Sequence, residues 1–323
     1  MGSYYQEKVR HILTTAFENL VKDPTKAFNF SEIGYFKLWW AEQGEGQKIQ
    51  FRDLVKRGRW EFINGGISMN DNACPLYEDI LSNYQAGAKF LHDEFGVRAT
   101  VGWMVDPFGH SSTMARLYAQ MGYDGHVIAR IPYLEKALYR EDRGMQRMWN
   151  PDPRTFLYTH ILEDYLYPTK LRFGRDMEFL NFKLFPTEET DAEYKWRKSE
   201  EQLMGRALDF YLSMRSQLEN AFDGNILLQP MGDDFSFTFG NREFANLDAY
   251  LSIIKSNPHF YPNLNISFTT LSKFLKVIAK TDKKFYPIKK NDFFPYEDNI
   301  DDAWTGYFST NPVMKFRTRM VGR

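Results

Sequence analysis

Arg98–Val105 (RATVGWMV) is an apolar run without strict alternation, and Asp106-Pro107-Phe108-Gly109-His110 follows it directly. A strand of this kind suits a position covered on both faces, as in a parallel sheet. Pro107 blocks continuation of the ladder and Gly109 lets the backbone turn. In parallel α/β sheets the reactive groups lie just beyond the carboxyl ends of strands. Asp106 therefore reads as an acid aimed at a cleft, either a nucleophile or a metal ligand. The competing reading makes it a cap for the following helix, aided by Ser111 and Ser112.

Working outward, the pattern alternates helix and strand. Residues 5–22 place Val9, Ile12, Leu13, Phe17 and Leu20 on one helical face. Ala27–Glu32 reads as a short strand ending in an acid, and Trp60–Asn64 as another, stopped by Gly65-Gly66. Strands are also expected at His126–Arg130, Asn225–Pro230 and Asn265–Thr269. Helices are expected at Lys48–Arg57, Pro75–Phe95, Ser111–Met121, 190–221, Phe244–Ser256 and Leu271–Lys280. Strands separated by helices favour parallel pairing and an α/β domain.

Two further acidic sites follow apolar runs. Asp233-Asp234 comes after Ile226–Pro230, and adjacent acids at the end of a buried strand are costly unless paired, solvated or used. Such a pair raises one carboxyl pKa, which suits a general acid; an ordinary solvated turn is the plainer alternative. Glu297–Asp302 precedes Trp304-Thr305-Gly306-Tyr307-Phe308, a loop suited to a cation or sugar hydroxyls, or simply polar. No two of the six histidines have the i, i+4 spacing of a helical zinc site. His110, beside Asp106, reads as a cap or a support for the acid rather than a ligand.

Composition narrows the classes. The 323 residues suffice for one large α/β domain or two smaller ones. With 41 Lys+Arg against 42 Asp+Glu the net charge is −1, which offers no general grip on nucleic acid. The lone cysteine, Cys74, excludes an internal disulfide and a cysteine-based zinc knuckle. No apolar run approaches the roughly 18 residues of a membrane span. The N-terminus lacks the signature of a signal peptide, and Gln6 stands where a myristoylation signal has Ser or Thr. Aromatics reach 17% of the chain, read mainly as a Phe- and Tyr-rich core.

The run VGWMVDPFGHSSTMARLYAQMGYDGHVIARIPY (101–133) resembles the signature of glycoside hydrolase family 38, the α-mannosidases, closest to the lysosomal type. The resemblance continues through residues 30–40, 52–80, 227–237 and 303–315. It implies an α/β catalytic domain with a mostly parallel, barrel-like sheet of seven strands, over residues 1–290. The segment 291–323 would then lead toward a helical bundle. It also implies retaining hydrolysis of α-mannoside oligosaccharides, with Asp106 as nucleophile and Asp234 as general acid/base, their carboxyls about 5–5.5 Å apart. Phe108, Arg130 and Asp233 become substrate-binding residues.

Zinc is the family's cofactor, held by Asp106, by a His-x-Asp pair on the first strand and by a histidine before the Trp-Thr-Gly-Tyr-Phe segment. Tyr4-Tyr5 match residues just after the His-x-Asp motif, so that strand is expected to be missing, as are the family's C-terminal domains. Asp301 stands where the family has its histidine, and Ile67 where it has a tryptophan. With Asp106 and Asp301 as the available ligands, zinc is expected to bind weakly or not at all. The alternative is a catalytically silent or sugar-binding remnant. The resemblance further implies a lysosomal or secretory setting for intact family members, leaves homo-oligomerisation open, and gives no membrane or nucleic-acid partner. Asn29-Phe30-Ser31 and Asn265-Ile266-Ser267 fit the glycosylation pattern.

Overall fold

In the computed structural model the described residues are 2–163, 200–281 and 285–321. A short helix α1 (Gly2–Tyr4) and a π-helical turn (Tyr5–Val9) lead into α2 (Arg10–Lys22). Leu13, Ala16, Phe17 and Leu20 of α2 are buried. Strand β1 (Phe28–Phe30), helices α3 (Ile33–Ala41) and α4 (Glu45–Lys56), and strand β2 (Trp60–Phe62) follow. Helix α5 (Tyr77–Phe95) precedes β3 (Val101–Met104), α6 (Ser112–Gln120), β4 (Gly125–Ile128), α7 (Tyr133–Glu141), β5 (Gln146–Trp149) and β6 (Leu157–Ile161). The chain continues with α8 (Glu200–Asn220), α9 (Gly240–Ser256), α10 (Leu271–Thr281), β7 (Ile288–Lys289), α11 (Gly306–Ser309) and α12 (Pro312–Val321). The helix expected over 190–221 is described from Glu200 onward; its earlier residues lie outside the described ones.

The sheet is mostly parallel, and it falls into two parts. β1 pairs with β2, while β3-β4-β6-β5-β7 form a five-stranded sheet in which only β5 and β6 run antiparallel. The link between the parts is Asn64, immediately after β2. Its backbone N–H donates to the Val101 carbonyl at 2.8 Å. Its side chain, fully buried, accepts from the Tyr84 hydroxyl at 3.0 Å, from the Trp103 N–H at 3.3 Å and from the Tyr118 hydroxyl. Asn64 has φ of 60°, a left-handed conformation that asparagine tolerates better than most residues. Gly65 follows at φ 86°, and a Cβ on Gly87 of α5 would sit 2.0 Å from the Gly65 carbonyl oxygen. The glycines let helix and turn touch.

Two expected strands are not strands. Residues 225–230 and 265–269 join no ladder among the described residues. Their apolar character is real, but it serves burial along a large cavity instead of pairing. Conversely, β5, β6, α3 and α7 form where no element was expected. α3 is apolar on most sides, with Ile33, Phe36, Trp39 and Trp40 buried, so it carries little helical periodicity.

Three apolar clusters fill the domain. In the first, Phe36 packs against Trp39, Phe51, Phe62 and Phe95 at ring separations of 4.7–5.9 Å. Here the aromatic excess is spent on core, since such rings bury large areas with favourable edge-to-face geometry. The other two clusters cover opposite faces of the five-stranded sheet. Met104, Ile128, Trp149 and Ile161 lie on one face, and Val101, Val127 and Phe274 are in the cluster on the other.

Replacing Asn64 with Ala should lower unfolding free energy by about 2–4 kcal/mol, because the buried hydroxyls of Tyr84 and Tyr118 keep only each other as partners and one of them loses its acceptor. Urea denaturation measures it, and a change below about 0.5 kcal/mol would contradict the junction's role. Acid should also weaken the fold. Burial holds His126 and His160 neutral down to about pH 3 and pushes His110 well below its usual range, whereas the unfolded chain protonates them near pH 6.5. Their contribution is therefore complete above about pH 6.5 and declines below it. Glu243 acts oppositely: burial raises its carboxyl to about 7, so the folded state gains from protonating it as pH falls. Between pH 7.5 and 5.5 the three histidines outweigh the raised carboxyls, so urea titrations at the two pH values should show a net loss of stability on acidification.

Candidate active site

β1 lies parallel to β2, and β3 to β4, so within each pair the carboxyl ends are neighbours, and each strand leads to a polar residue. Glu32 follows β1, Asn64 follows β2, Asp106 follows β3 and Arg130 follows β4. Asp106 and Arg130 meet directly, with Arg130 Nη2 donating to Asp106 Oδ1 at 2.9 Å. The carboxylate is half exposed, whereas the arginine is largely covered. The guanidinium carbon sits 5.0 Å from the Phe108 ring centre and 5.4 Å from that of Trp304. Those two rings pack 5.0 Å apart. Such contacts favour a planar, weakly hydrated cation, and the resulting clamp fixes one oxygen of Asp106.

The segment after residue 290 completes this arrangement. Phe293 is buried in the sheet core and pairs backbone to backbone with His110, in both directions, at 2.8 and 3.2 Å. Gly109, at φ 94°, is required there, since a Cβ would lie 2.6 Å from the Phe294 ring. Tyr307 donates its hydroxyl to the Phe108 carbonyl at 2.9 Å. Trp304 and Tyr307 thus belong to the site, although the sequence marked them only as aromatics following an acidic loop. Ser111, not Asp106, caps α6, its hydroxyl accepting from Thr113 N–H at 3.1 Å. His110 is buried, and its ring faces Phe293 edge-on. It neither caps α6 nor reaches the cleft.

A cavity of about 1830 Å³ opens beside Asp106 and Phe108. Asp233 and Asp234 line the same cavity, as do Glu32, Asn70 and Asp71, and most of the remaining lining is apolar. Asp234 comes from a turn instead of a strand end. The turn is held by Glu243, whose carboxylate accepts from Phe237 N–H, and by Thr15, whose hydroxyl donates to the Phe237 carbonyl at 3.1 Å. The Asp234 N–H donates to Asp233 Oδ1 at 2.6 Å. Burial raises the Asp233 carboxyl above the usual range, the nearby Asp234 charge adds to this, and the donated N–H opposes it.

The metal expectation fares differently. Asp301 sits at φ 59° in the loop 297–302 and is not among the residues lining the cavity. Asp106 has a guanidinium on one oxygen. Among the described residues no three His, Cys, Asp or Glu side chains gather in a metal-holding group. No helix of the described residues is long and apolar enough to cross a membrane.

The fold is shared with an alpha-mannosidase from Enterococcus faecalis (TM-score 0.58, 12% identity, 88% of this chain and 28% of that one). A 4-alpha-glucanotransferase from Thermococcus litoralis also shares it (TM-score 0.57, 14% identity, 93% and 40%). In sequence the chain is 32% identical over 321 residues to the lysosomal alpha-mannosidase of Felis catus, covering 97% of this chain and 31% of the relative. It is 33% identical over 313 residues to that of Dictyostelium discoideum, covering 95% and 29%. The chain thus spans about a third of the length of these curated relatives. The model of the glycosyl hydrolases family 38 N-terminal domain matches residues 2–299, a span that takes in β1 through β7 and the residues lining the cavity, and the chain belongs to that family.

Proposed function

We propose that this chain carries the nucleophile and the acid/base of a retaining glycosidase that hydrolyses α-mannosides. The observation that carries the reading is the clamped carboxylate of Asp106 sharing one cavity with Asp234. The family membership and the α-mannosidase names of the relatives support it. Asp106 would attack the anomeric carbon while Asp234 protonates the departing oxygen. In the second half Asp234 would take a proton from water, which releases the sugar from Asp106. Arg130 holds Asp106 in place, so little reorientation is needed at the moment of attack. The Phe108 ring offers an apolar surface for the C–H face of the sugar.

The barrel-like sheet belongs to the same reading. The Asn64-to-Val101 bond brings β2 beside β3, which supports a single continuous sequence of strands. The lysosomal names of the relatives support a lysosomal or secretory setting and glycoprotein oligosaccharides as substrates.

The residues present do not fit a zinc site. A dication at Asp106 would compete with the Arg130 guanidinium, and Asp301 offers an oxygen ligand away from the cavity lining, so no step is routed through a metal. Isothermal titration should show zinc binding weaker than micromolar at neutral pH. Submicromolar affinity that disappears in Asp106→Ala would overturn this.

Turnover of 4-nitrophenyl α-mannoside should be measurable and fall at least about a hundredfold in Asp106→Asn. Asp234→Asn should lose comparably on alkyl mannosides and less on the nitrophenyl substrate, whose leaving group needs little protonation. Unchanged turnover in Asp106→Asn contradicts the assignment. Mannoside binding without turnover in the wild type would make the chain a sugar-binding module.

A further inference from the structure

Glu32 is the acid at the end of β1, and no role described so far absorbs it. It occupies the position just before α3, where Ser, Thr, Asp or Asn ordinarily caps the helix. Its side chain makes no capping hydrogen bond. Instead Oε1 accepts from the Met69 N–H at 2.8 Å, on the turn that follows Gly65-Gly66. Oε2 makes no hydrogen bond within the described residues, and Glu32 lines the cavity that contains Asp106. The neighbouring acid on that wall, Asp71, is differently engaged: its Oδ2 accepts from the N–H groups of Ala73 and Cys74 at 2.9 and 2.5 Å. Glu32 is thus a carboxyl with one oxygen anchored and the other left over, two strands from the clamped Asp106.

We propose that Glu32 is a substrate-positioning residue whose Oε2 accepts a hydrogen bond from a hydroxyl of the glycoside held against Asp106. The proposal rests on the glycosidase reading and deepens it. Oε2 faces the cavity without a donor among the described residues, and a polyhydroxylated ligand there supplies one. The anchored oxygen fixes the direction of the other, which is what selection among ring hydroxyls requires. Burial raises the Glu32 carboxyl above the usual range, and the Met69 N–H only partly offsets this, consistent with a group short of donors. The strand-end placement fits the geometry: Glu32 follows β1, Asp106 follows β3, and both line the one cavity.

The test uses Glu32→Gln, which keeps an oxygen for Met69 N–H and turns an NH2 donor toward the cavity. Methyl α-mannoside and its mono-deoxy analogues are titrated against wild type and variant, with thermal midpoints recorded. The variant should melt close to wild type and bind methyl α-mannoside roughly ten- to a hundredfold more weakly. That penalty should vanish for the one deoxy sugar that lacks the hydroxyl Glu32 receives. A loss of equal size for every deoxy sugar, or none for the parent, overturns the assignment. If Glu32→Gln does not fold, Glu32→Ala undergoes the same deoxy-sugar comparison, which distinguishes positioning from general disruption. Asp106→Asn is assayed in parallel. Turnover lost there, with wild-type binding in Glu32→Gln, removes Glu32 and leaves the glycosidase reading standing. Wild type that neither binds nor cleaves any mannoside removes both.

Discussion

The buried amide of Asn64 is the constraint on which the site depends. It joins a two-stranded sheet to a five-stranded one through a single backbone hydrogen bond, and it holds two tyrosine hydroxyls from α5 and α6. The two hydroxyls also lie 2.8 Å from each other, so one buried network of Asn64, Tyr84 and Tyr118 sets the two helices over the strands. The glycine pair after it lets α5 come within contact of the turn. Beyond these strands Glu32 and Asp106 line the edge of one cavity, with Arg130 turned onto Asp106.

At that edge, charge is handled by pairing and by aromatic walls. Arg130 is covered by Phe108 and Trp304 and turned onto Asp106, so a cation that would be costly to bury alone is matched by an anion and by ring faces. The same pairing occupies the carboxylate oxygen that a metal would claim. The histidines are spent elsewhere: His110, His126 and His160 are packed into the core and held neutral by burial. The imidazole nitrogens that zinc favours are thus not presented to the cavity by these three residues.

The large cavity follows from what the sheet leaves unpaired. Residues 226–231 and 264–269 line it, with Ile226, Leu227, Leu228, Leu264, Ile266 and Phe268 among its apolar part, and they join no ladder among the described residues. Asp234 enters from a turn braced by Glu243 and Thr15, and its position depends on helix α9 and on α2, more than two hundred residues away in sequence.

The sequence by itself determined the α/β class, the parallel character of the sheet and the acid after β3. These follow from short-range patterns: an apolar run covered on both faces, a proline that stops it, and helical periodicity on either side. It also marked Asp233-Asp234 and the aromatic segment 303–308. Only the tertiary structure decided that residues 225–230 and 265–269 are not strands, because a ladder needs a partner and an apolar run records burial alone. It likewise decided that Trp304 covers Arg130, that Asp301 stands away from the cavity lining, and that the Glu32 carboxyl turns to Met69 instead of capping α3. Each of these rests on contacts between residues far apart in the chain, whose side-chain directions no local pattern encodes.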